Sequence, residues 1–288
     1  MENNENKTLE QVRHDLRNSL TPKYGEREAT AMSRAILMQL KGWNLTELLA
    51  NEEREASDYI RNRSKEILEQ LLKGVPLQYA LGETTFYGLT IHVAPGVLIP
   101  RPETEEMVDL IVKENCRSDL KVADLCTGSG AIAIALARNL PFAEVDGVDI
   151  SGKAIQIAKE NAENLKVNVK FQEKDVFTLS LPDDEYDIIV SNPPYVDESE
   201  KTSMEQNVLE YEPPEALFVT DDNPLVFYKR IADIGLDALA EGGRLYFEIN
   251  PRHSEELRRL LEKKGYVDVQ ILKDVHGSDR FATAKKSR

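Results

Sequence analysis

The sequence predicts an α/β protein: a mostly parallel, Rossmann-like sheet with crossover helices, preceded by a small N-terminal helical bundle and a β-hairpin linker. Three observations predict it. From Thr8 to about Lys73 apolar residues recur at the three-to-four-residue spacing of helices. Between residues 77 and 99 the pattern changes to short β-prone runs around a glycine. After Pro100, apolar runs of strand length alternate with amphipathic stretches of helix length, as parallel strands joined by helices require.

In the bundle (1–75), Leu9, Val12 and Leu16 form one apolar stripe and Ala31, Ala35, Leu37, Met38 and Leu40 a second, followed by Tyr59, Ile60, Ile67, Leu68, Leu71 and Leu72. Thr21-Pro22, Gly42 and Gly74-Val75-Pro76 are the expected breaks, and Asn44 and Thr46 are candidate caps of a short helix. In the linker (76–99), Phe86-Tyr87-Gly88-Leu89 and Thr90-Ile91-His92-Val93 predict a hairpin. In the α/β domain (100–288), strands are expected at 122–125, 144–150, 167–171, 186–191, 244–249, 266–271 and 280–284. Helices are expected at 131–139, 154–164, 225–240 and 254–264, with Gly242-Gly243 and Gly265 marking helix ends.

The 288 residues, 41% of them apolar, are enough for one large α/β domain or a standard domain with an appendage. Lys and Arg number 36 against 51 Asp and Glu, a net charge of −15. Such a chain lacks the positive field that gathers phosphate backbones, so no direct nucleic-acid binding is expected. Up to residue 85 there are 12 basic and 14 acidic side chains, and after it 24 and 37, so the acidity belongs to the α/β domain. The opening Met-Glu-Asn-Asn-Glu-Asn-Lys lacks the order of a signal peptide, and no run approaches the ~18 apolar residues of a membrane span. A cytoplasmic protein with no membrane partner is expected. Cys116 and Cys126 are not in CxxC spacing, and His14, His92, His253 and His276 are scattered without a second ligand nearby, so no metal site is predicted.

The segment Val122 to Ala133 runs from a strand through Asp124, Cys126, Thr127, Gly128, Ser129 and Gly130 into a helix. Glycines at 128 and 130 permit positive φ and let a ligand approach the amides of a helix N-terminus. Gly128-x-Gly130-x-x-Ala133 also satisfies a dinucleotide fingerprint, so an NAD enzyme stays open. Asp149 ends the next strand 19 positions after Gly130, about the offset at which a carboxylate accepts from ribose hydroxyls. Two details favour S-adenosylmethionine over NAD. Asp124 needs a partner inside an apolar strand, which loop amides or a cationic amino group would provide. Acidity also suits a cationic sulfonium and offers nothing to a pyrophosphate. Asp175-Val176-Phe177, after the third strand, is placed to hold the adenine, with Asp175 accepting from the exocyclic amine and Val176 or Phe177 against the ring.

Asn192-Pro193-Pro194-Tyr195 directly follows a buried strand, at the sheet edge where open α/β folds bind ligands. Both prolines have fixed φ and lack N–H groups, which stiffens the segment and leaves the Pro193 carbonyl free. A planar NH₂ group that is to attack a methyl sulfonium needs two acceptors for its two hydrogens. The Asn192 side-chain oxygen and the Pro193 carbonyl qualify as those acceptors, with Pro194 and Tyr195 completing the substrate site and Tyr195 stacking on or capping the planar group.

Asn192 to Tyr195, Asp124-x-x-x-Gly128-x-Gly130 and Asp149 together resemble the amino-methylating branch of the class I S-adenosylmethionine-dependent methyltransferases. More specifically, Pro76-Leu77-Gln78-Tyr79, Phe86-Tyr87-Gly88-Leu89, Ile99-Pro100-Arg101-Pro102-Glu103-Thr104-Glu105, Tyr211-Glu212-Pro213 and Gly277-x-Asp279-Arg280 resemble the release-factor glutamine N5-methyltransferases. The similarity extends over essentially the whole chain. It implies a seven-stranded sheet and methylation of the side-chain amide of the glutamine in the Gly-Gly-Gln motif of peptide chain release factors. It also implies a helical N-terminal domain that contacts the release factor, S-adenosylhomocysteine as product, and a cofactor held by Cys126 to Gly130, Asp149, the Asp175-Val176 region and Asn192. A monomer is expected. The chain departs from the family pattern at Cys126, where glycine is common, at Val176, where an aromatic is frequent, and at Glu248-Ile-Asn250-Pro-Arg-His253, where Glu-x-Gly-x-x-Gln is common. Two rival readings are a DNA or RNA methyltransferase acting on an exocyclic adenine or cytosine amine, and a non-catalytic nucleoside-binding adaptor.

Overall fold

The computed structural model describes residues 7–287 and divides into two compact units, Met1–Gly82 and Glu83–Arg288. Residues 1–6, where a signal-peptide order is not seen in the sequence, lie outside the described residues. No helix among the described residues is long and apolar enough to cross a membrane.

The first unit is helical. Helix α1 (Leu9–Lys41) starts at a capping box of Thr8 with Gln11, α2 (Leu45–Ala50) at one of Asn44 with Glu47, and α3 (Asp58–Lys73) at Ser57. A short α4 (Leu77–Leu81) follows Pro76. Leu9, Leu16, Leu20, Ile36, Leu48, Ile67 and Leu71 fill its core. Three expectations are corrected. Thr46 lies inside α2, where Asn44 is the cap. The break expected at Thr21-Pro22 falls instead at Gly25, whose φ of 78° an L-residue rarely adopts. Tyr59 and Leu72, counted in the third stripe, face solvent.

The second unit opens with an antiparallel hairpin, β1 (Glu83–Phe86) and β2 (Leu89–His92), turned through Tyr87 and Gly88 at positive φ. Asn161 docks it: the side chain accepts from the His92 amide and donates to the carbonyls of His92 and Ser129. Then come α5 (Pro102–Glu114), β3 (Lys121–Leu125), α6 (Ala131–Asn139), β4 (Glu144–Asp149), α7 (Gly152–Leu165), β5 (Lys170–Glu173) and β6 (Tyr186–Ser191). They are followed by β7 (Val196–Asp197), α8 (Gln206–Tyr211), β8 (Phe218–Val219), α9 (Val226–Ala238), β9 (Leu239–Glu248), α10 (Ser254–Lys263), β10 (Tyr266–Lys273) and β11 (Asp279–Lys286).

The seven-stranded sheet has the order β10-β11-β9-β6-β3-β4-β5. Its pairs are parallel from β9 to β5, and β11 runs antiparallel to both β9 and β10. This is the expected α/β architecture. The reading of Gly242-Gly243 as a helix end is corrected: α9 stops at Ala238, and both glycines lie inside β9. Gly242 has φ +77, the register against β6 shifts between Tyr186 and Ile188, and a Cβ on Gly243 would meet the Ala240 carbonyl at 2.9 Å. The pair makes a bulge, which apolar periodicity does not register. The β7–β8 pair and α8 were not expected from the sequence.

Candidate active site

The carboxyl ends of the parallel strands β3, β4, β5 and β6 open on a cavity of about 260 Å³. Cys126, Thr127, Gly128 and Ser129 line it from the loop after β3, Asp149 from the end of β4, Asp175, Val176 and Phe177 from the loop after β5, and Asn192 and Pro194 from the segment after β6. Asp124, Gly130, Pro193 and Tyr195, also singled out in the sequence, stand behind this wall. The structure therefore gathers residues 68 positions apart in the chain, Asp124 to Asn192, at one edge.

Asp149 organises the glycine loop. Its Oδ2 accepts from the Gly128 amide at 2.8 Å and its Oδ1 from the Ser151 amide at 2.9 Å, while Ser151 itself caps α7. The Gly128 amide is thus committed to a carboxylate and is not offered to a pyrophosphate, which weighs against NAD. Burial raises the Asp149 carboxyl above its usual range, against the amide hydrogen bonds that lower it. Each oxygen keeps a lone pair for a ligand hydroxyl.

Asp124 is fully buried, and its Oδ2 accepts from the Thr127 hydroxyl at 2.5 Å and the Ala133 amide at 3.1 Å. Its Oδ1 is buried with no hydrogen-bond partner among the described residues. Burial pushes the carboxyl up to about 7. The loop amides expected to pair Asp124 are therefore part of the answer, and one oxygen remains for a cationic donor.

Cys126 has φ +65, a conformation for which glycine is better suited, which accounts for the glycine common there in the resembling family. Burial, with Asp149 next, pushes its thiol far up, so it is held neutral. Val176 presents no aromatic ring, but Phe177, 43% exposed, lines the cavity beside Phe227 at a ring separation of 5.1 Å. Asp175 closes the turn by accepting from the Phe177 amide. Phe177, offered by the sequence beside Val176 as a partner of the adenine ring, thus lines the cavity, whereas Phe227, on α9 and 50 residues further along the chain, carries no local signal.

Asn192 donates from Nδ2 to Thr104 Oγ1 at 3.3 Å. Among the described residues neither its Oδ1 nor the Pro193 carbonyl accepts a hydrogen bond. Tyr195 donates its hydroxyl to Glu248 at 2.9 Å and its ring packs against the core. In the segment around Arg101, Pro100 and Thr104 reach the cavity, while Arg101 pairs with Glu212 at 2.6 Å. Asn250, where the family pattern has glycine, donates to the Tyr195 carbonyl and to Glu200, and His253 meets Asp197 at 2.9 Å. These two departures brace the segment that follows Asn192.

The sheet order and a cavity built from a glycine loop, an acidic strand end and Asn-Pro-Pro-Tyr define a methyltransferase fold. A methyltransferase structure from Pyrococcus furiosus superposes with a TM-score of 0.53 at 18% identity, covering 79% of this chain and 99% of that one. A 16S rRNA methyltransferase of T. thermophilus, solved with AdoMet and guanosine, gives a TM-score of 0.51 at 21% identity over 71% of this chain and 49% of that one. The Methyltransferase small domain family matches residues 103–217 and the PrmC N-terminal domain family residues 11–82. Release factor glutamine methyltransferases of Bacteroides thetaiotaomicron and Streptococcus pneumoniae are 46% and 39% identical, over 94% and 88% of this chain and 98% and 90% of theirs. The chain belongs to the release factor glutamine methyltransferase family.

Proposed function

We propose that the protein transfers a methyl group from S-adenosylmethionine to the side-chain amide nitrogen of the glutamine in the Gly-Gly-Gln motif of peptide chain release factors. The observation that carries this reading is the pair of uncommitted acceptors, Asn192 Oδ1 and the Pro193 carbonyl, on a rigid segment beside the cavity. The residues present fit the cofactor. Asp149 suits the ribose hydroxyls, the orphaned Asp124 Oδ1 and the acidic wall suit a cationic methionyl group, and Asp175, Ile150 and Phe177 suit the adenine. When bound, S-adenosylmethionine supplies an electrophilic methyl group on a sulfonium.

The chain's own part is positioning. A carboxamide nitrogen has a delocalised lone pair and two hydrogens. Asn192 Oδ1 and the Pro193 carbonyl take those hydrogens, orient the nitrogen and raise its electron density. The nitrogen becomes more acidic as it is alkylated, so its proton can pass late to water from one of these acceptors, and no strong base is needed. Val97, Leu98, Pro100 and Phe227 give the cavity an apolar wall that excludes water from the ligand. The helical unit, matched by the PrmC N-terminal domain family, is assigned to recognition of the release factor.

The test is incubation with radiolabelled methyl donor and purified release factor, wild type against a variant with alanine at the Gly-Gly-Gln glutamine. Label is expected in the first alone, and label persisting in the second refutes the target. Asn192→Ala is expected to lose transfer nearly completely while S-adenosylhomocysteine binding stays largely intact.

A further inference from the structure

Behind Asn192 lies a buried polar relay to which neither the glycine loop nor Asn-Pro-Pro-Tyr assigns a role. Glu248, 1% exposed, ends β9, the parallel neighbour of β6. Its Oε2 accepts from the Thr104 hydroxyl at 2.6 Å and its Oε1 from the Tyr195 hydroxyl at 2.9 Å. Thr104, 3% exposed, accepts in turn from Asn192 Nδ2 at 3.3 Å.

Counting protons fixes the direction of this relay. An ionised carboxylate has only lone pairs to offer, and a threonine hydroxyl has a single proton. The short contact to Glu248 uses that proton, so Thr104 presents only a lone pair to Asn192. The Asn192 carboxamide must answer with its NH₂ end, which turns Oδ1 the other way, toward the cavity that Asn192 lines. The flipped amide would set oxygen against oxygen at Thr104 and NH₂ against the NH₂ of an incoming substrate.

We propose that Thr104 and Glu248 are positioning residues that hold the Asn192 oxygen toward the substrate nitrogen, by committing the one proton of Thr104 to Glu248. The proposal rests on the reading of Asn192 as an acceptor for the substrate amide. Ionisation of Glu248 is part of it. Burial raises that carboxyl above its usual range, the hydrogen bonds from Thr104 and Tyr195 and the charge of Arg280 lower it, and Glu103 raises it. Once protonated, Glu248 donates rather than accepts, the Thr104 proton is released to turn toward Asn192, and the amide loses its fixed direction. Tyr195 keeps its own proton throughout, since burial raises its hydroxyl well above the usual value.

Thr104→Val removes the hydroxyl with little change of shape, and Thr104→Ser restores it. With full-length enzyme, saturating S-adenosylmethionine and a release factor, Thr104→Val is expected to lower kcat roughly 10- to 100-fold, the range for a misplaced reacting geometry. Its affinity for S-adenosylhomocysteine stays close to the wild-type value, its melting temperature falls because valine leaves the buried Glu248 and Asn192 groups without that partner, and Thr104→Ser recovers most of kcat and of the melting temperature. Glu248→Gln, which presents a donor where the carboxylate had none, is expected to follow Thr104→Val. Amide NMR of cofactor-free protein labelled with ¹⁵N-asparagine, the Asn192 side-chain signal assigned by its absence in Asn192→Ala, gives a readout independent of turnover. That signal should move in Thr104→Val and return in Thr104→Ser. An unmoved signal overturns the proposal whatever the kinetics, as does a Thr104→Ser enzyme as slow as Thr104→Val. Wild type that fails to methylate the release factor overturns the functional reading instead, and the NMR signal still decides whether Thr104 orients Asn192.

Discussion

Gly128 and Gly130 look alike in the sequence, yet the structure gives them different costs on substitution by alanine. At Gly130, φ is +79 and an added Cβ would lie 2.9 Å from Phe171 Cζ, 3.0 Å from Ala158 Cβ and 3.2 Å from Ile134 Cδ1. The left-handed backbone costs an L-residue about 1–2 kcal/mol. Overpacking adds about 1–3 kcal/mol, because Ala158 and Ile134 are fully buried on α7 and α6 and cannot withdraw. The sum, roughly 2–5 kcal/mol, corresponds to a fall in melting temperature of roughly 4–20 °C for a domain of this size. At Gly128, φ is +56 and the nearest atom to an added Cβ is Val97 Cγ1 at 4.0 Å, on the cavity side. Gly128→Ala therefore costs only the backbone strain, about 1–2 kcal/mol, but it sets a methyl group in the cavity. Differential scanning calorimetry and titration with S-adenosylhomocysteine separate the two: Gly130→Ala should lose mainly stability, Gly128→Ala mainly affinity. A Gly130→Ala protein that melts with the wild type, or a Gly128→Ala protein that melts lower still, refutes the packing argument.

Three further outcomes are expected. Asp124, pushed by burial up to about 7, binds a proton in the native protein that the unfolded chain releases near pH 4. Its contribution to stability therefore falls as pH rises from about 4 to about 7, by roughly 4 kcal/mol. Denaturant unfolding should show a smaller decline between pH 5 and pH 8 for Asp124→Asn than for wild type, and parallel declines would exclude the burial effect. Asp149→Asn should weaken S-adenosylhomocysteine binding by about 10- to 100-fold, from the loss of charge-assisted hydrogen bonds worth about 1.5–3 kcal/mol. Unchanged affinity in titration calorimetry would take Asp149 out of the binding site. Glu212, buried, accepts from Arg101 at 2.6 Å and from the Ile99 amide at 3.2 Å, tying the Pro100 wall to the Pro213 wall. Glu212→Ala leaves that amide unsatisfied at a cost of about 1–3 kcal/mol, and stopped-flow release of the cofactor product should quicken; an unchanged rate would show that the tie does not hold the cavity closed.

What could be read from the sequence was chemistry carried by neighbouring residues. The bounds of β6 and α6 agree with expectation because both are apolar runs that end at residues with special backbones, Pro193 after one and Gly130 before the other. The glycine loop, Asp149 and Asn192 were legible for the same reason: each announces itself within a few residues. Gly242-Gly243 was misread because a bulge and a helix end ask for the same residue, and only the pairing of β9 with β6 tells them apart. Thr104 and Glu248 were quoted within motifs, but no role could be given to either. Thr104 is 88 residues from Asn192 and 144 from Glu248, and no local pattern foretells hydrogen bonds among them.

Strand order explains why these distant residues meet. After β5 the chain crosses back to place β6 on the far side of β3, so the sheet reverses its direction of winding between β3 and β6. At such a point the connections leave toward opposite faces and a crevice opens at the carboxyl ends. Leu125 and Ser191 are register partners there, so the glycine loop and Asn192 begin side by side without help from any side chain. The next strand, β9, repeats the step: Phe247 pairs with Ser191, which sets Glu248 beside Asn192. A carboxylate buried at that position still needs charge support, and a parallel strand beyond β9 would have left its own carboxyl end at the same edge. The antiparallel β11 instead starts there, with Phe281 opposite Glu248 and Arg280 one residue before, pairing with Asp274 and lowering the cost of the buried Glu248 charge. The reversed edge strand thus does electrostatic work for the site: it brings a cation to the one carboxylate whose ionisation sets the direction of Asn192.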